Sequence, residues 1–77
     1  MAQSVLKIDG PKVRELRDRR GLTLKDFAAQ LDTDKTHLSR IERNLSQPSI
    51  RLRTRILERL GVQLDDILAK VDTPKAA

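Results

Sequence analysis

Six polar or cationic side chains fall on one side of the segment 34–45 when it is drawn as an α-helix at about 100° per residue. Lysine and arginine can donate to O6 and N7 of guanine, serine and threonine can meet base edges or the thymine methyl group, and arginine or asparagine can hold phosphate. This pattern suits a surface that reads nucleic acid, and a merely solvated face is the alternative. The six residues are Lys35, Thr36, Ser39, Arg40, Arg43 and Asn44.

The opposite side of the same segment carries Leu38, Ile41, Glu42 and Leu45, and we expect it to face the protein interior. A buried carboxylate without a partner would be costly, so Glu42 should be paired rather than free. A solvated surface would be the better interpretation of the polar side if this helix stood alone. A second helix just before it and a short turn between the two favour nucleic-acid recognition instead.

The preceding helix has the best-marked start in the chain. Thr23 as N-cap and Asp26 three residues later have the spacing of a capping box, with Leu22 and Phe27 at the hydrophobic-staple positions. Its apolar residues Phe27, Ala28 and Leu31 should face inward. Asp34 is the expected N-cap of the polar helix that follows.

Three further helices complete the prediction. Asp9-Gly10-Pro11 opens helix 1, which ends at a left-handed Gly21. Ser49 caps a helix over about 50–60 that ends at Gly61, and a short helix follows over about 64–70. The sequence thus predicts an all-α domain of five helices over residues 10–71.

The two ends of the chain are predicted to be different. Residues 4–8 alternate, with Leu6 and Ile8 on one side, which allows a short strand paired near Val71 or in a second subunit. A flexible N-terminal arm over residues 1–9 is an equally favoured alternative. Residues 72–77, broken by Pro74, are expected to fray as a C-terminal tail.

Composition narrows the classes of function. Sixteen Lys and Arg against eleven Asp and Glu give a net charge of +5 over 77 residues, and the pI is about 10.2. A basic balance of this size is typical of nucleic-acid-binding domains. Without cysteine, and with His37 as the only histidine, the chain should hold no disulfide, metal or cofactor. The N-terminus lacks a signal-peptide pattern and no apolar run could span a membrane, so we expect a cytoplasmic, nucleoid-associated protein.

The segment from Val13 to Leu68 resembles the Cro/C1-type (Xre) helix-turn-helix family, through VRELRDRRGLTLKDFA, THLSRIERNLSQPSI and ERLGVQLDDIL. The run from Leu38 to Ile50 is similar to the SinR-like branch. The resemblance implies a lambda-repressor-like domain that binds operator DNA as a dimer. The third helix would lie in the major groove and the second across the backbone.

Carried over residue by residue, the resemblance implies roles for specific side chains. It places base contacts at Lys35, Thr36, Arg40 and, less firmly, Ser39. It places phosphate contacts at Thr23, Leu24, Arg43, Asn44 and Ser46, and a helix 4 that begins near DNA adds Arg51, although a solvated arginine is an open alternative there. It also pairs Arg17 with Glu42 as a structural salt bridge.

Departures from the family pattern qualify these expectations. Asp32 stands where the turn usually has glycine, though aspartate tolerates a left-handed conformation. Gln63 replaces a usual Ser or Thr cap and should weaken the start of the last helix. Arg53 stands at a position usually buried as leucine, so either Leu52 turns inward instead or Arg53 reaches an acidic partner.

We therefore expect a sequence-specific transcriptional regulator, and a repressor that acts by occupying its site, because a chain of this length leaves no room for an effector domain. About five or six phosphate contacts per subunit are too few for tight binding, so a homodimer on a two-fold operator is expected. Its candidate surface is Leu6, Ile8, Leu64, Ile67, Leu68 and Val71, with completion of the core as the alternative. An antitoxin-like or antagonist-binding module that meets a protein partner is the second hypothesis. An enzyme is the weakest, because no nucleophile and base accompany His37.

Overall fold

The computed structural model describes residues 7–69, and these form five helices in the order expected from the sequence. The helices are α1 (Gly10–Arg19), α2 (Leu24–Gln30), α3 (Lys35–Glu42), α4 (Ile50–Leu60) and α5 (Leu64–Ile67). The all-α class is confirmed. Within the described range no helix is long and apolar enough to cross a membrane.

Side-chain caps start the three central helices where the sequence predicts them. The Asp26 amide donates to Thr23 Oγ1 at 3.0 Å, and the His37 amide donates to Asp34 Oδ1 at 3.2 Å. The Leu52 amide donates to Ser49 Oγ at 3.1 Å. Each bond satisfies one of the amides that a helix leaves unpaired in its first turn. The boundaries of α2, α3 and α4 are therefore set locally.

Left-handed residues end the first four helices. Gly21, Asp32, Asn44 and Gly61 have φ of 70°, 58°, 62° and 66°. Two of them are not glycine, and they flank α3 on either side. Asp32 tolerates this conformation as predicted, since its short polar side chain lowers the usual penalty.

Apolar side chains from all five helices meet in one core. Phe27 lies at its centre with no exposed surface, and Ala28 and Leu31 beside it confirm the predicted inner face of α2. In α4, Leu52 turns inward with Ile56 and Leu60, while Arg53 stays half-buried. The first of the two alternatives for Arg53 is therefore correct.

Helix α3 is shorter than predicted, and its inner stripe ends earlier. Leu38 and Ile41 are fully buried, but Leu45 is 53% exposed and lies beyond the helix, which ends at Glu42. The left-handed Asn44 turns the chain off the helix axis, so the apolar spacing at position 45 no longer points inward. The expectation that Leu45 anchors α3 is wrong.

The predicted last helix is also too long. Helix α5 ends at Ile67, and Leu68 forms an antiparallel bridge with Ile8. The Asp9 amide donates to the Ile67 carbonyl at 2.7 Å, and the Ala69 amide donates to the Lys7 carbonyl at 2.9 Å. Residues 7–9 thus pair with residues 67–69 of the same chain. Of the two partners expected for the N-terminal segment, this is the one near Val71 and not a second subunit. Residues 1–6 and 70–77, with Leu6, Val71 and the predicted tail, lie outside the described residues.

Two residues of the candidate dimer surface belong to the core of the protomer. Ile8 is 1% exposed and Ile67 is fully buried, which leaves neither available to a second subunit. Leu64 and Leu68 are half-buried at the surface. The predicted surface is corrected for Ile8 and Ile67, because the bridge of residues 7–9 to 67–69 turns both side chains inward.

The weak start predicted for α5 is offset by an acidic cap. The Gln63 amide donates to Asp66 Oδ2 at 2.9 Å, and the Asp66 amide donates to the Gln63 carbonyl at 2.9 Å. Asp65 and Asp66 both lie in the first turn, where the helix dipole favours negative charge. The Asp66 carboxylate thus supplies the reverse bond of a capping box, from inside the helix to the N-cap amide, while the Asp66 amide bonds to the Gln63 carbonyl.

Gly10 brings the start of α1 against the end of α3. A Cβ atom at this position would overlap the Ile41 carbonyl oxygen and stand 2.7 Å from the carbonyl carbon of Glu42. The Gly10 amide donates to Asn44 Oδ1 at 2.9 Å, which closes the same contact. Both facing groups are backbone, which cannot rotate away as a side chain can. Only glycine therefore lets the two helices approach this closely.

We expect Gly10→Ala to lower the free energy of unfolding by about 1–3 kcal/mol, because the added methyl group is forced against backbone that cannot move aside. The matched control is Arg14→Ala, on the exposed face of the same helix, which should change it by less than about 0.5 kcal/mol. Urea denaturation of both variants measures the difference. Equal midpoints for Gly10→Ala and the wild type would contradict the close approach.

Candidate nucleic-acid interface

A buried ion pair joins α1 to α3. Arg17 Nε donates to Glu42 Oε2 at 2.8 Å and Arg17 Nη2 donates to Glu42 Oε1 at 3.0 Å, a two-bond arrangement between planar groups. Arg17 is 7% exposed and Glu42 5% exposed. The pair therefore fixes both the distance and the rotation of α3 relative to α1. The geometry agrees with the salt bridge that the resemblance implied.

Arg17 has a further role at the turn into α2. Its Nη1 donates to the Leu22 carbonyl at 2.7 Å, so one guanidinium holds α3 and the α1–α2 turn together. The hydrogen bonds that Arg17 donates to Glu42 raise the pKa of Arg17 above its ordinary value, although burial opposes this. Because that pKa is ordinarily high and is raised further here, Arg17 stays charged in the folded protein.

The four candidate base contacts share the accessible face of α3. Lys35, Thr36 and Arg40 are exposed, and Ser39 between them is half-buried. Three of the four lie in the first five residues of the helix, the end that enters the groove in helix-turn-helix docking. The structure thus brings these residues together on one surface, on the side opposite Leu38, Ile41 and Glu42.

The start of α2 offers hydrogen-bond donors beside this face. Thr23 is exposed, and because its oxygen accepts from Asp26 its hydroxyl proton remains free to donate. Leu24 is half-buried against the core, so only its backbone amide can face outward. That amide is one of those a helix leaves unpaired at its N-terminus. Both residues therefore suit an anion such as phosphate.

The segment after α3 holds the remaining phosphate candidates. Arg43 is exposed, and its Nε makes only a 3.5 Å contact to the Ser39 carbonyl. Ser46 is half-buried and Arg51 is exposed in the first turn of α4. Asn44 differs from the prediction, because its Oδ1 accepts from the Gly10 amide. Its side chain is first a structural group, and only its amide donors are left for phosphate.

Charge is distributed unevenly over the described residues. On α1 the exposed cations are paired with acids, as in Arg19 with Glu15 at 2.6 Å and Lys12 with Glu15 at 3.7 Å. Around α3, by contrast, no carboxylate of residues 7–69 lies within 4.0 Å of the four exposed cations Lys35, Arg40, Arg43 and Arg51. The α3 side therefore carries four cations whose charge is left for a ligand, whereas Lys25 and Arg59 are cations on other helices that also lack an acidic partner within residues 7–69.

Three side chains that bond distant segments of the chain together were not anticipated from the sequence. Gln47 bonds to the backbone of Ile8, and Arg55 Nη1 donates to the Leu31 carbonyl at 3.2 Å beside the α2–α3 turn. Arg20 donates to the carbonyl of Leu60, 40 residues away. Each partner is a backbone carbonyl or amide of a distant segment, and no residue type in the sequence marks such a partner.

Among residues 7–69 no group of three or more acidic, His or Cys residues could hold a metal ion.

Comparison with known proteins places this geometry in a known family. A family model described as helix-turn-helix matches residues 13–67. The HTH-type transcriptional regulator DdrOP3 of Deinococcus deserti is 34% identical over 61 residues, which are 79% of this chain and 47% of that protein. The chain thus spans about half the length of this curated relative.

Two solved structures agree with the fold. The clp gene regulator ClgR from Corynebacterium glutamicum gives a TM-score of 0.69 at 28% identity, over 74% of this chain and 61% of that chain. SinR, the master regulator for biofilm formation from Bacillus subtilis, solved in complex with DNA, gives 0.68 at 31% identity, over 74% of this chain and 95% of that chain. These similarities confirm the predicted helix-turn-helix fold and the similarity to SinR.

We expect Glu42→Ala to lower the free energy of unfolding by about 3–5 kcal/mol, because it leaves the Arg17 guanidinium buried without its counter-charge. Replacing both partners, as Arg17→Met with Glu42→Leu, should recover most of that loss, since no unpaired charge remains. Glu58→Ala, an exposed glutamate of α4, is the control. Thermal and urea melts measure all three. A Glu42→Ala variant that melts like wild type would remove the pair from its structural role.

Proposed function

The chain belongs to the helix-turn-helix family, in its Cro/C1 (Xre) type, and from this premise we propose that it is a sequence-specific regulator of transcription that binds double-stranded DNA. Helix α3 enters the major groove, and α2 lies across the backbone. The family and the fold are those of DNA-binding transcription regulators and not of enzymes. The observation that carries the proposal is the exposed face of α3, whose cations have no acidic partner among residues 7–69.

The division of labour on this face follows from side-chain chemistry. Lys35 and Arg40 donate to guanine in the groove, and Thr36 and Ser39 contact neighbouring bases. Thr23, the Leu24 amide, Arg43, Ser46 and Arg51 hold phosphates on either side, with the Asn44 amide at the margin. The ion pair of Arg17 with Glu42 keeps α3 at the angle at which both sets can be engaged.

We further propose a homodimer that represses by occupying a two-fold operator. One protomer offers about six phosphate contacts, and affinity of this electrostatic kind falls steeply with salt. Two protomers with α3 helices about 34 Å apart would double the contacts and read successive major grooves. Of the predicted dimer surface within residues 7–69, Leu64 and Leu68 are the half-buried apolar residues still available. A protein antagonist or toxin as a partner stays a prediction from the sequence.

Selection of binding sites from random duplex DNA tests the proposed function directly. The expected result is one enriched consensus with two-fold symmetry and half-sites about one helical turn apart. A single half-site without symmetry would contradict the homodimer but keep the DNA-binding function. No enrichment over several rounds, with folded protein, would contradict sequence-specific binding itself.

Substitutions on α3 should separate base reading from phosphate binding. Lys35→Ala or Arg40→Ala should weaken binding to the selected operator by about 1–3 kcal/mol and relax specificity at one base position. Arg43→Ala should weaken binding to all duplexes alike and reduce the slope of log K against log salt by about 1. Titrations of labelled duplex at several salt concentrations give both quantities.

Arg59→Ala is the control for these variants. It removes one positive charge from the exposed last turn of α4 and should leave the specificity unchanged. If Lys35→Ala and Arg40→Ala bind the selected operator like the wild type, α3 is not the element that reads the sequence.

A further inference from the structure

The loop over residues 43–49 carries several of the proposed phosphate contacts but belongs to no helix. Its first residues are held at the end of α3, where the Leu45 amide donates to the Arg40 carbonyl at 2.8 Å. Its last residue, Ser49, caps α4. Between these points a further contact is required to keep the loop in one conformation. A flexible loop would lose conformational entropy on binding DNA, and this loss would weaken the binding.

Gln47 supplies that support through its side-chain amide. The Ile8 amide donates to Gln47 Oε1 at 2.9 Å, and Gln47 Nε2 donates to the Ile8 carbonyl at 3.4 Å. The two partners are 39 residues apart in the chain. Gln47 is exposed, yet both ends of its amide are used on the protein's own backbone.

The bonding pattern is that of a strand edge. Lys7 and Asp9 turn their bonding groups toward residues 67–69, while Ile8 between them turns its amide and carbonyl the other way, toward Gln47. Successive residues of an extended chain alternate in this manner. The primary amide of Gln47 thus takes the place of the peptide group of a neighbouring strand. Glutamine suits this position because its one planar group carries both a donor and an acceptor.

The backbone of residues 7–9, to which Gln47 bonds through Ile8, is itself held firmly in the fold. Ile8 is 1% exposed in the core, and the backbone on either side of it is bonded to residues 67–69. A second bond, from the Gly10 amide to Asn44 Oδ1, ties the same segment to the start of the loop. The loop therefore rests at two points, Asn44 and Gln47, on a platform built from the two ends of the described chain.

We propose that Gln47 is a positioning residue for DNA binding, one that sets the loop 43–49 so that Arg43 and Ser46 reach phosphate. This inference rests on the proposed function and adds a requirement to it. Gln47 does not itself contact DNA. Its contribution is to hold the loop in the conformation in which Arg43 reaches phosphate. Without Gln47 the loop no longer presents Arg43, so that this contact is lost and the loop must be ordered at an entropy cost on binding.

Gln47→Met tests the proposal, because methionine keeps the length and neutral charge of glutamine but cannot pair with Ile8. The matched control is Gln30→Met, at the exposed last residue of α2. Wild type and both variants are titrated with the selected operator and with a scrambled duplex, at several salt concentrations and well below the melting temperature. Hydrogen exchange of the Ile8 amide is followed by NMR on the same proteins.

We expect Gln47→Met to bind both duplexes about three- to tenfold more weakly, the range that corresponds to ordering one or two side chains. The ratio between operator and scrambled duplex should stay unchanged, and the salt slope should fall by about 1 as the charged Arg43 contact is lost. Exchange of the Ile8 amide should become faster. Gln30→Met should match the wild type in all of these measurements.

Three outcomes would overturn the proposal. Wild-type affinity with faster Ile8 exchange would mean that Gln47 supports the fold alone. A loss confined to the operator would mean that Gln47 reads bases, and a uniform loss without a change in salt slope would mean that this neutral side chain contacts the backbone directly. If the wild type binds both duplexes equally, the proposed sequence-specific function is contradicted instead. The effect of Gln47→Met on affinity can then still be measured with the scrambled duplex.

Discussion

The buried pair of Arg17 with Glu42 is the interaction on which the rest of the structure depends. Burying two charges costs several kcal/mol each, and the attraction between them, their two short hydrogen bonds and the bond from Arg17 to the Leu22 carbonyl must offset it. A pair under this constraint tolerates little change in distance or angle. The interaction therefore contributes orientation more than stability, because an apolar pair of the same volume could stabilise the domain equally well but would lack the directional bonds that set the angle of α3.

Helix α3 has only eight residues, and it is fixed at both ends as well as at Glu42. At its start, Asp34 caps the helix and Arg55 bonds to the Leu31 carbonyl in the turn before it. At its end, Gly10 and Asn44 hold it against α1. The two left-handed residues beside α3 are Asp32 and Asn44, whereas α1 and α4 end in glycine. At position 44 the reason is the hydrogen bond that the Asn44 side chain accepts from the Gly10 amide, which a glycine could not form.

The sequence predicted well whatever is decided within a few residues. Thr23, Asp34 and Ser49 were identified as caps because a cap and the amide that it accepts from lie three residues apart. The same pattern failed where a distant segment decides. Leu45 has the apolar spacing of the helix, but the left-handed Asn44 turns the chain off the helix axis before it. Helix α5 ends earlier than predicted because Leu68 pairs with Ile8. Gln47 was missed since its partner is backbone, which every residue carries, 39 positions away.

These contacts separate the residues that hold α3 from those that face outward. The supports, from Arg17 and Glu42 to Gly10 and Gln47, bond to the protein itself, whereas Lys35, Thr36 and Arg40 stand exposed. Exposed helix positions away from caps and ion pairs contribute little to stability. Side chains on the α3 face can therefore change without cost to the fold. A change in the supports, by contrast, would move Lys35, Thr36 and Arg40 together, because all three lie on one rigid helix.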